Sequence, residues 1–202
     1  GEIIGRGGTS GIGVFSFDFG GFIVDGGHSL KSKSSFLPSS ASQAKPPQLL
    51  AHYDFPDDWE ILLVILDSKN TVNGQKEVNI FQDYCPVPKN EVEQTSHIIF
   101  MNMIPFLLER DLPAFGHSID EIQKRGFKNV EVSLQSQQIR DLMDKLREIG
   151  AYGVGMSSFG PTVYSVFDKN NKHIVEEIKE YVGSRGIVLT TKAQNYGHEI
   201  QK

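Results

Sequence analysis

From Trp59 to Leu66 the chain reads Trp-Glu-Ile-Leu-Leu-Val-Ile-Leu, a nearly continuous apolar run. Such a run predicts a central strand covered on both faces. The pattern then changes period. Across Glu91 to Arg110, Ile98, Met101, Ile104, Leu107 and Leu108 recur at spacings of three and four, which predicts a helix that Pro105 should kink. Met101 and Met103 read as core filler rather than ligands. A second helix is expected over Leu112 to Gly126, starting near Pro113 and closed by Gly126. A third is expected over Ser136 to Ile149, with Ser136 as N-cap, Gly150 as the stop and a stripe of Ile139, Leu142, Met143, Leu146 and Ile149. Tyr152 to Phe167 reads as strand, glycine-serine turn, strand. His173 to Val182 then predicts a helix and Gly186 to Ala193 a last strand. This C-terminal order is that of an α+β domain, an antiparallel sheet with helices on one face.

The N-terminal part is patterned differently. Val14 to Phe19 alternates apolar and polar, which predicts a strand. Gly20-Gly21 and Asp25-Gly26-Gly27-His28-Ser29 punctuate a second short run, Phe22-Ile23-Val24. Ser29 to Gln48 holds seven serines between Ser29 and Ser42, with Pro38, Pro46 and Pro47. We expect a mobile Ser/Pro-rich loop over 30–48, either a lid or plain disorder. Lys69 to Asn79 is polar and predicts a surface loop, and Cys85-Pro86-Val87-Pro88 cannot be helical. A boundary between residues 1–58 and 59–202 follows. Of 20 glycines, ten lie within Gly1 to Gly27, and the chain opens inside this stretch without Met. A fragment lacking its N-terminal portion is the expectation, and exposure of a native chain by tag cleavage the alternative.

Composition narrows the function classes. With 39% apolar and 10% aromatic residues the chain can bury a core, which argues against a disordered protein. A net charge of −5 disfavours a generally basic nucleic-acid surface, so no nucleic-acid partner is expected. The one cysteine, Cys85, excludes an internal disulfide and a cysteine-based zinc site. No apolar run approaches the roughly 18 residues of a membrane span, and nothing resembles a signal peptide. A cytoplasmic protein without membrane attachment is the expectation. The histidines at 52, 97, 117, 173 and 198 show no metalloprotease spacing, and no nucleophile-elbow serine is present.

Candidate chemistry centres on Gly5-Arg6-Gly7-Gly8-Thr9-Ser10-Gly11-Ile12-Gly13. Glycines let successive backbone N–H groups converge on an anion. Thr9 and Ser10 add hydroxyls, and Arg6 adds a guanidinium that matches phosphate. A structural glycine-rich turn and a phosphate site both remain open, since the pattern is neither a P-loop nor a dinucleotide fingerprint. Gly153 to Ser158 reads as a second such loop, with Gly153, Gly155, Ser157 and Ser158 as donors or simply a tight hairpin. Asp25 could hold Mg²⁺, and His28 could serve as acid, base or phosphate donor; a turn-forming Asp and an exposed His are the plainer readings. Lys31 and Lys33 follow directly.

Several motifs in order, Gly7-Gly8-Thr9-Ser10-Gly11-Ile12-Gly13, Gly20-Gly21-Phe22-Ile23-Val24-Asp25-Gly26-Gly27-His28-Ser29, Phe36-Leu37-Pro38, Phe55-Pro56-x-x-Trp59 and Tyr152-Gly153-Val154-Gly155-Met156-Ser157-Ser158-Phe159-Gly160-Pro161, resemble the beta-ribofuranosylaminobenzene 5′-phosphate synthase family. Ile104-Pro105, Phe115-Gly116 and Ile122-Gln123 resemble it too. That family belongs to the GHMP kinase superfamily. The resemblance implies a GHMP-like, ATP-binding-type fold, with 1–58 the remainder of an N-terminal domain and 59–202 a ferredoxin-like C-terminal domain. It implies an archaeal, cytoplasmic pentosyltransferase of methanopterin biosynthesis, a homodimer. The enzyme would join phosphoribosyl pyrophosphate to 4-hydroxybenzoate or 4-aminobenzoate with loss of CO₂ and pyrophosphate. On that basis Arg6, Gly7, Gly8, Thr9, Ser10, Gly11, Lys31, Lys33, Gly153, Gly155, Ser157 and Ser158 are expected on phosphate. Asp25 and His28 are the catalytic candidates, with Asp25 on Mg²⁺. Superfamily kinases commonly show Ser-Gly-hydrophobic-Asp, and here Gly13 replaces the carboxylate. A GHMP-type small-molecule kinase, or a non-catalytic fragment, are the alternatives.

Overall fold

The computed structural model describes residues 7–29, 31, 35–38, 41–42, 44–67, 72 and 74–199. The chain divides into two compact units, one of residues 1–55, 72–86 and 193–202, the other of residues 56–71 and 87–192. Arg6 and Lys33 lie outside the described residues, as does part of the expected 30–48 loop.

Residues 72–86 and 193–202, expected within the C-terminal domain, group with the first unit, but the second unit has the α+β architecture expected of that part. Its strands β3 (Glu60–Leu66), β4 (Tyr152–Met156), β5 (Thr162–Phe167) and β6 (Gly186–Thr191) form one antiparallel sheet in the order β4-β5-β3-β6. A strand, helices, a hairpin, a helix and a last strand that lands beside the first is the split β-α-β arrangement of ferredoxin-like domains. Leu62, Val64 and Leu66 on β3 share a face with Val163 and Phe167 on β5. Helices α7 (Gln137–Glu148) and α8 (His173–Val182) close that face with Ile139, Leu142, Met143, Leu146, Ile174 and Ile178, all buried. Each contributes on the order of 1.5–3 kcal/mol by leaving water. β3 is central, as expected, but it is not covered on both faces. Ile61, Leu63 and Ile65 are only partly buried, and their neighbours Ile187 and Leu189 on β6 are exposed. A run of β-branched and leucine side chains cannot by itself say how many layers cover it.

The expected helix over Glu91 to Arg110 is three segments: α3 (Lys89–His97), a π-helical stretch (Ile98–Met103) and α4 (Ile104–Glu109). The ladder slips into wider pairing just before Pro105, which has no N–H to donate. Arg110 ends α4 in the left-handed conformation at φ 60. Asp111 then caps α5 (Leu112–Gln123), its Oδ1 accepting the Ala114 N–H at 3.1 Å. Gly126 does not close this helix. It opens α6 (Gly126–Ser133), an element the apolar pattern does not predict. Ser136 does stand at the N-cap of α7, but its hydroxyl makes no capping bond.

In the first unit, Val14 to Phe19 is not a strand but part of helix α1 (Ile12–Phe19). The Gly11 carbonyl accepts from Val14 N–H at 3.0 Å and Phe15 N–H at 2.9 Å, and Gly20 at φ 73 stops the helix. Hydrogen bonds at the two ends overrule the alternation, because α1 has no fully buried residue for a periodic stripe to serve. Strand β1 (Phe22–Asp25) pairs antiparallel with β2 (Leu49–Tyr53), and the register slips between Val24 and Asp25. Residues expected in a polar loop instead start α2 (Gly74–Tyr84), which buries only Ile80. Its polarity hides it from a periodicity test. Asn195 joins this unit, accepting the Phe55 N–H at 2.8 Å and donating to the Phe55 carbonyl at 2.9 Å. Among the described residues, no helix is long and apolar enough to cross a membrane.

Candidate active site

The glycine-rich segment and Asp25 meet in the first unit. Asp25 Oδ2 accepts from Ser10 Oγ at 2.8 Å and from the Gly11 N–H at 2.7 Å; Oδ1 accepts the Gly27 N–H at 3.0 Å. The strand slip after Val24 re-aims the backbone where Asp25 stands. The carboxylate faces the start of α1, where unpaired amides carry partial positive charge. One amide of the glycine-rich segment, the Gly11 N–H, is thus bonded to an anion of the chain itself, the Asp25 carboxylate. Thr9 Oγ1 donates to the Leu37 carbonyl at 2.6 Å. Gly7 and Gly8 are buried, and a Cβ on Gly7, at φ 89, would lie 2.6 Å from Pro46 Cγ.

His28 stands beside this node. Its Nε2 lies 2.8 Å from the Lys45 carbonyl oxygen, which can only accept, so Nε2 carries the proton in the neutral ring. Nδ1 is then left as an acceptor. Gly26, Gly27, His28, Ser29, Lys45 and Leu50 are among the residues lining an open cleft of about 790 Å³. Lys31 is exposed. Among the described residues no group of three or more His, Cys, Asp or Glu side chains could hold a metal. Mg²⁺ does not need one, since one or two carboxylates plus substrate phosphates suffice. Asp25 fits that role: with two bonds on Oδ2 and one on Oδ1, it keeps one Oδ1 lone pair.

The other expected donors lie in the second unit. Gly153 and Gly155 are not in a loop; both are buried in β4. A Cβ on Gly153, at φ 62, would lie 2.9 Å from Gly116 Cα, and one on Gly155 would run into the Tyr164 ring. These glycines admit helix α5 and a tyrosine ring to the strand. Of the four, only Ser157 and Ser158 lie in the turn, both exposed, with Ser158 in the left-handed region at φ 47. A serine there is strained, and such strain concentrates at functional sites.

Side chains outside the glycine-serine motif hold this turn. The Met156 N–H donates to Gln123 Oε1 at 3.0 Å, and Gln135 Nε2 donates to the Phe159 carbonyl at 2.8 Å. Lys128 Nζ donates to the carbonyls of Met156 at 3.2 Å and Ser158 at 3.4 Å and pairs with Glu131. The available signal was Lys128-x-x-Glu131 at helical spacing. Nearby, burial first and the Asp120 charge second push the Tyr164 phenol up to about 12. Hydrogen bonding from Lys124 and the charges of Lys124 and Arg125 hold Glu121 below its usual 4.5.

Comparison with known proteins agrees with this architecture. Residues 103–187 match the family described as GHMP kinases C terminal. The chain is 52% identical over 196 residues to the beta-ribofuranosylphenol 5′-phosphate synthase of Methanothermobacter thermautotrophicus, covering 97% of this chain and 59% of that one. The synthase of Archaeoglobus fulgidus is 48% identical over 203 residues, covering 99% of this chain and 63% of that one. The chain thus spans about three fifths of the curated relatives it matches. Among solved structures, homoserine kinase from Cytophaga hutchinsonii superposes with a TM-score of 0.60 at 15% identity, covering 89% of this chain and 50% of that one. Mevalonate diphosphate decarboxylase from Enterococcus faecalis superposes at 0.54 and 14%, covering 88% and 53%. A further structure, MDDEF in complex with MVAPP, AMPPCP and magnesium, superposes at 0.55 and 14%, covering 88% and 54%. These likenesses show the fold. Residues 103–187 thus resemble the C-terminal part of GHMP kinases, and nearly the whole chain is similar to about three fifths of the beta-ribofuranosylphenol 5′-phosphate synthases.

Proposed function

We propose that the protein is a pentosyltransferase that joins phosphoribosyl pyrophosphate to 4-hydroxybenzoate, releasing CO₂ and pyrophosphate, on the route to methanopterin. The observation that carries this reading is 48–52% identity to three synthases over 97–99% of the chain. The phenol in the relatives' name favours the hydroxy over the amino acceptor.

The reaction breaks the C1–O bond of the ribose, forms a bond from C1 to the ring carbon bearing the carboxylate, and expels that carboxylate as CO₂. Negative charge grows on departing pyrophosphate and positive charge on the sugar. Such a step rests on fixed donors and alignment more than on a strong base. In the first unit, Asp25 holds the Ser10–Gly11 segment in one conformation and would offer one lone pair to Mg²⁺, which would supply charge neutralisation for the leaving group. His28, its Nε2–H held by Lys45, keeps Nδ1 as an acceptor in the cleft. Arg6, Gly7, Gly8 and Thr9 stand as further phosphate contacts on the glycine-rich pattern and the resemblance, and Lys31 and Lys33 on the resemblance. In the second unit, the Ser157 and Ser158 hydroxyls are exposed donors with no bond to another described residue. A cytoplasmic homodimer completes this reading, and sedimentation velocity tests the assembly.

Carboxyl-labelled 4-hydroxybenzoate provides the test. Label released as CO₂ only when phosphoribosyl pyrophosphate is present supports the synthase. Turnover of ATP with a small alcohol and no CO₂ refutes it in favour of a GHMP-type kinase, the reading that Gly13 already weakens.

A further inference from the structure

We propose that Lys128 is a positioning residue whose ammonium pins the Ser157–Ser158 turn in its strained, donor-presenting conformation, with Glu131 as its counter-charge. The proposal deepens the reading of that turn as a phosphate contact and rests on it. An ammonium has three donors. Lys128 uses them on the Met156 carbonyl, the Ser158 carbonyl and the Glu131 carboxylate. With all three engaged, and its side chain only 23% exposed, Lys128 is placed to hold backbone rather than to greet an anion. Glu131 is 10% exposed in its side chain, so the pair is screened little by solvent. The two carbonyls bracket Ser157, which donates its N–H to Thr162 at 2.9 Å while its carbonyl accepts the Gly160 N–H at 2.8 Å.

The geometry explains a paradox of this hairpin. Ser158 holds a left-handed backbone that is unfavourable for a non-glycine residue. That conformation persists only if something outside the turn over-determines it. Gln123 and Gln135 fix the two flanks, at Met156 and Phe159. Only Lys128 reaches the carbonyl of the strained residue itself among the described contacts.

The test compares the wild-type protein with Lys128→Met/Glu131→Gln, with Ser157→Ala/Ser158→Ala, and with all four changes together. Neutralising both partners avoids a buried unpaired carboxylate, so the protein stays folded. Two quantities are read: amide hydrogen exchange along residues 156–161, and the affinity for inorganic pyrophosphate with Mg²⁺. The proposal predicts exchange at Ser157 and Gly160 faster by about tenfold in the Lys128 variant, with Val64 and Val163 unchanged. It predicts pyrophosphate binding weakened by about tenfold in that variant and weakened no further by it once both serines are alanine. Unchanged exchange overturns the pin. A binding loss that adds in full to that of the serine variant overturns the claim that Lys128 acts through the turn. Faster exchange with pyrophosphate affinity untouched in all variants establishes the pin and refutes the phosphate reading of the serines.

Discussion

Replacing Gly116 by alanine should destabilise the second unit, although alanine is the better helix former. In an open mid-helix position this change stabilises by about 1 kcal/mol. Gly116 is not in an open position. A Cβ there would lie 2.7 Å from the Gly153 N and 2.7 Å from Tyr152 Cβ, and 3.0 Å from the Tyr152 carbonyl carbon. Carbon contacts are comfortable near 3.5–4.0 Å, so α5 must back away from β4 by several tenths of an ångström. Nothing can yield by changing rotamer, because two of the three atoms are backbone and the third is a Cβ. Overpacking of this kind costs about 3 kcal/mol at the upper end of its usual range, which leaves a net loss of about 2 kcal/mol after the helical gain. In a domain of this size that lowers Tm by about 4–8 °C. The displaced helix also carries Gln123, the acceptor for the Met156 N–H, so exchange at Met156 should quicken as well. Thermal unfolding followed by circular dichroism decides the matter. A Gly116→Ala protein with an unchanged or higher Tm would show that α5 and β4 do not touch backbone to backbone.

Three further outcomes follow from the ionisable groups. The Tyr164 phenol titrates at about 12 when folded against 10 when unfolded, so its contribution is complete below pH 10 and is lost between pH 10 and 12; Tyr164→Phe should flatten that alkaline limb of a stability–pH curve. Glu121 is held below 4.5, so its contribution is present above pH 4.5 and fades as acid protonates the folded form; Glu121→Gln should remove that part of the acid limb, read by urea unfolding at stepped pH. Asp25→Ala frees the Ser10 hydroxyl and the Gly11 N–H together, and should cost about 1 kcal/mol while speeding amide exchange at Gly11 and Gly27. Exchange there that matches wild type would show that Asp25 does not organise the loop.

Much of the second unit was legible because burial imposes periods. The stripe of α7 and the strand–turn–strand of β4 and β5 are written in residues whose spacing must match a packed face. α1 was misread because its side chains serve no such face, and the caps at Gly11 and Gly20 decided its form. α2 escaped because it buries a single residue. Glycines signalled close approach correctly, but not what approached: at 153 and 155 it is α5 and a tyrosine ring rather than a ligand. The Lys128–Glu131 pair is legible at helical spacing, but its hold on the hairpin is not, since Lys128 and Ser158 are 30 residues apart and no local rule pairs them.

The stoichiometry of a single reaction mixture tests the central claim most directly. With phosphoribosyl pyrophosphate, 4-hydroxybenzoate and Mg²⁺, the account predicts CO₂, pyrophosphate and a carbon-linked ribosylphenol phosphate in equal amounts. Pyrophosphate formed without CO₂, or a sugar joined through the phenol oxygen, would contradict it.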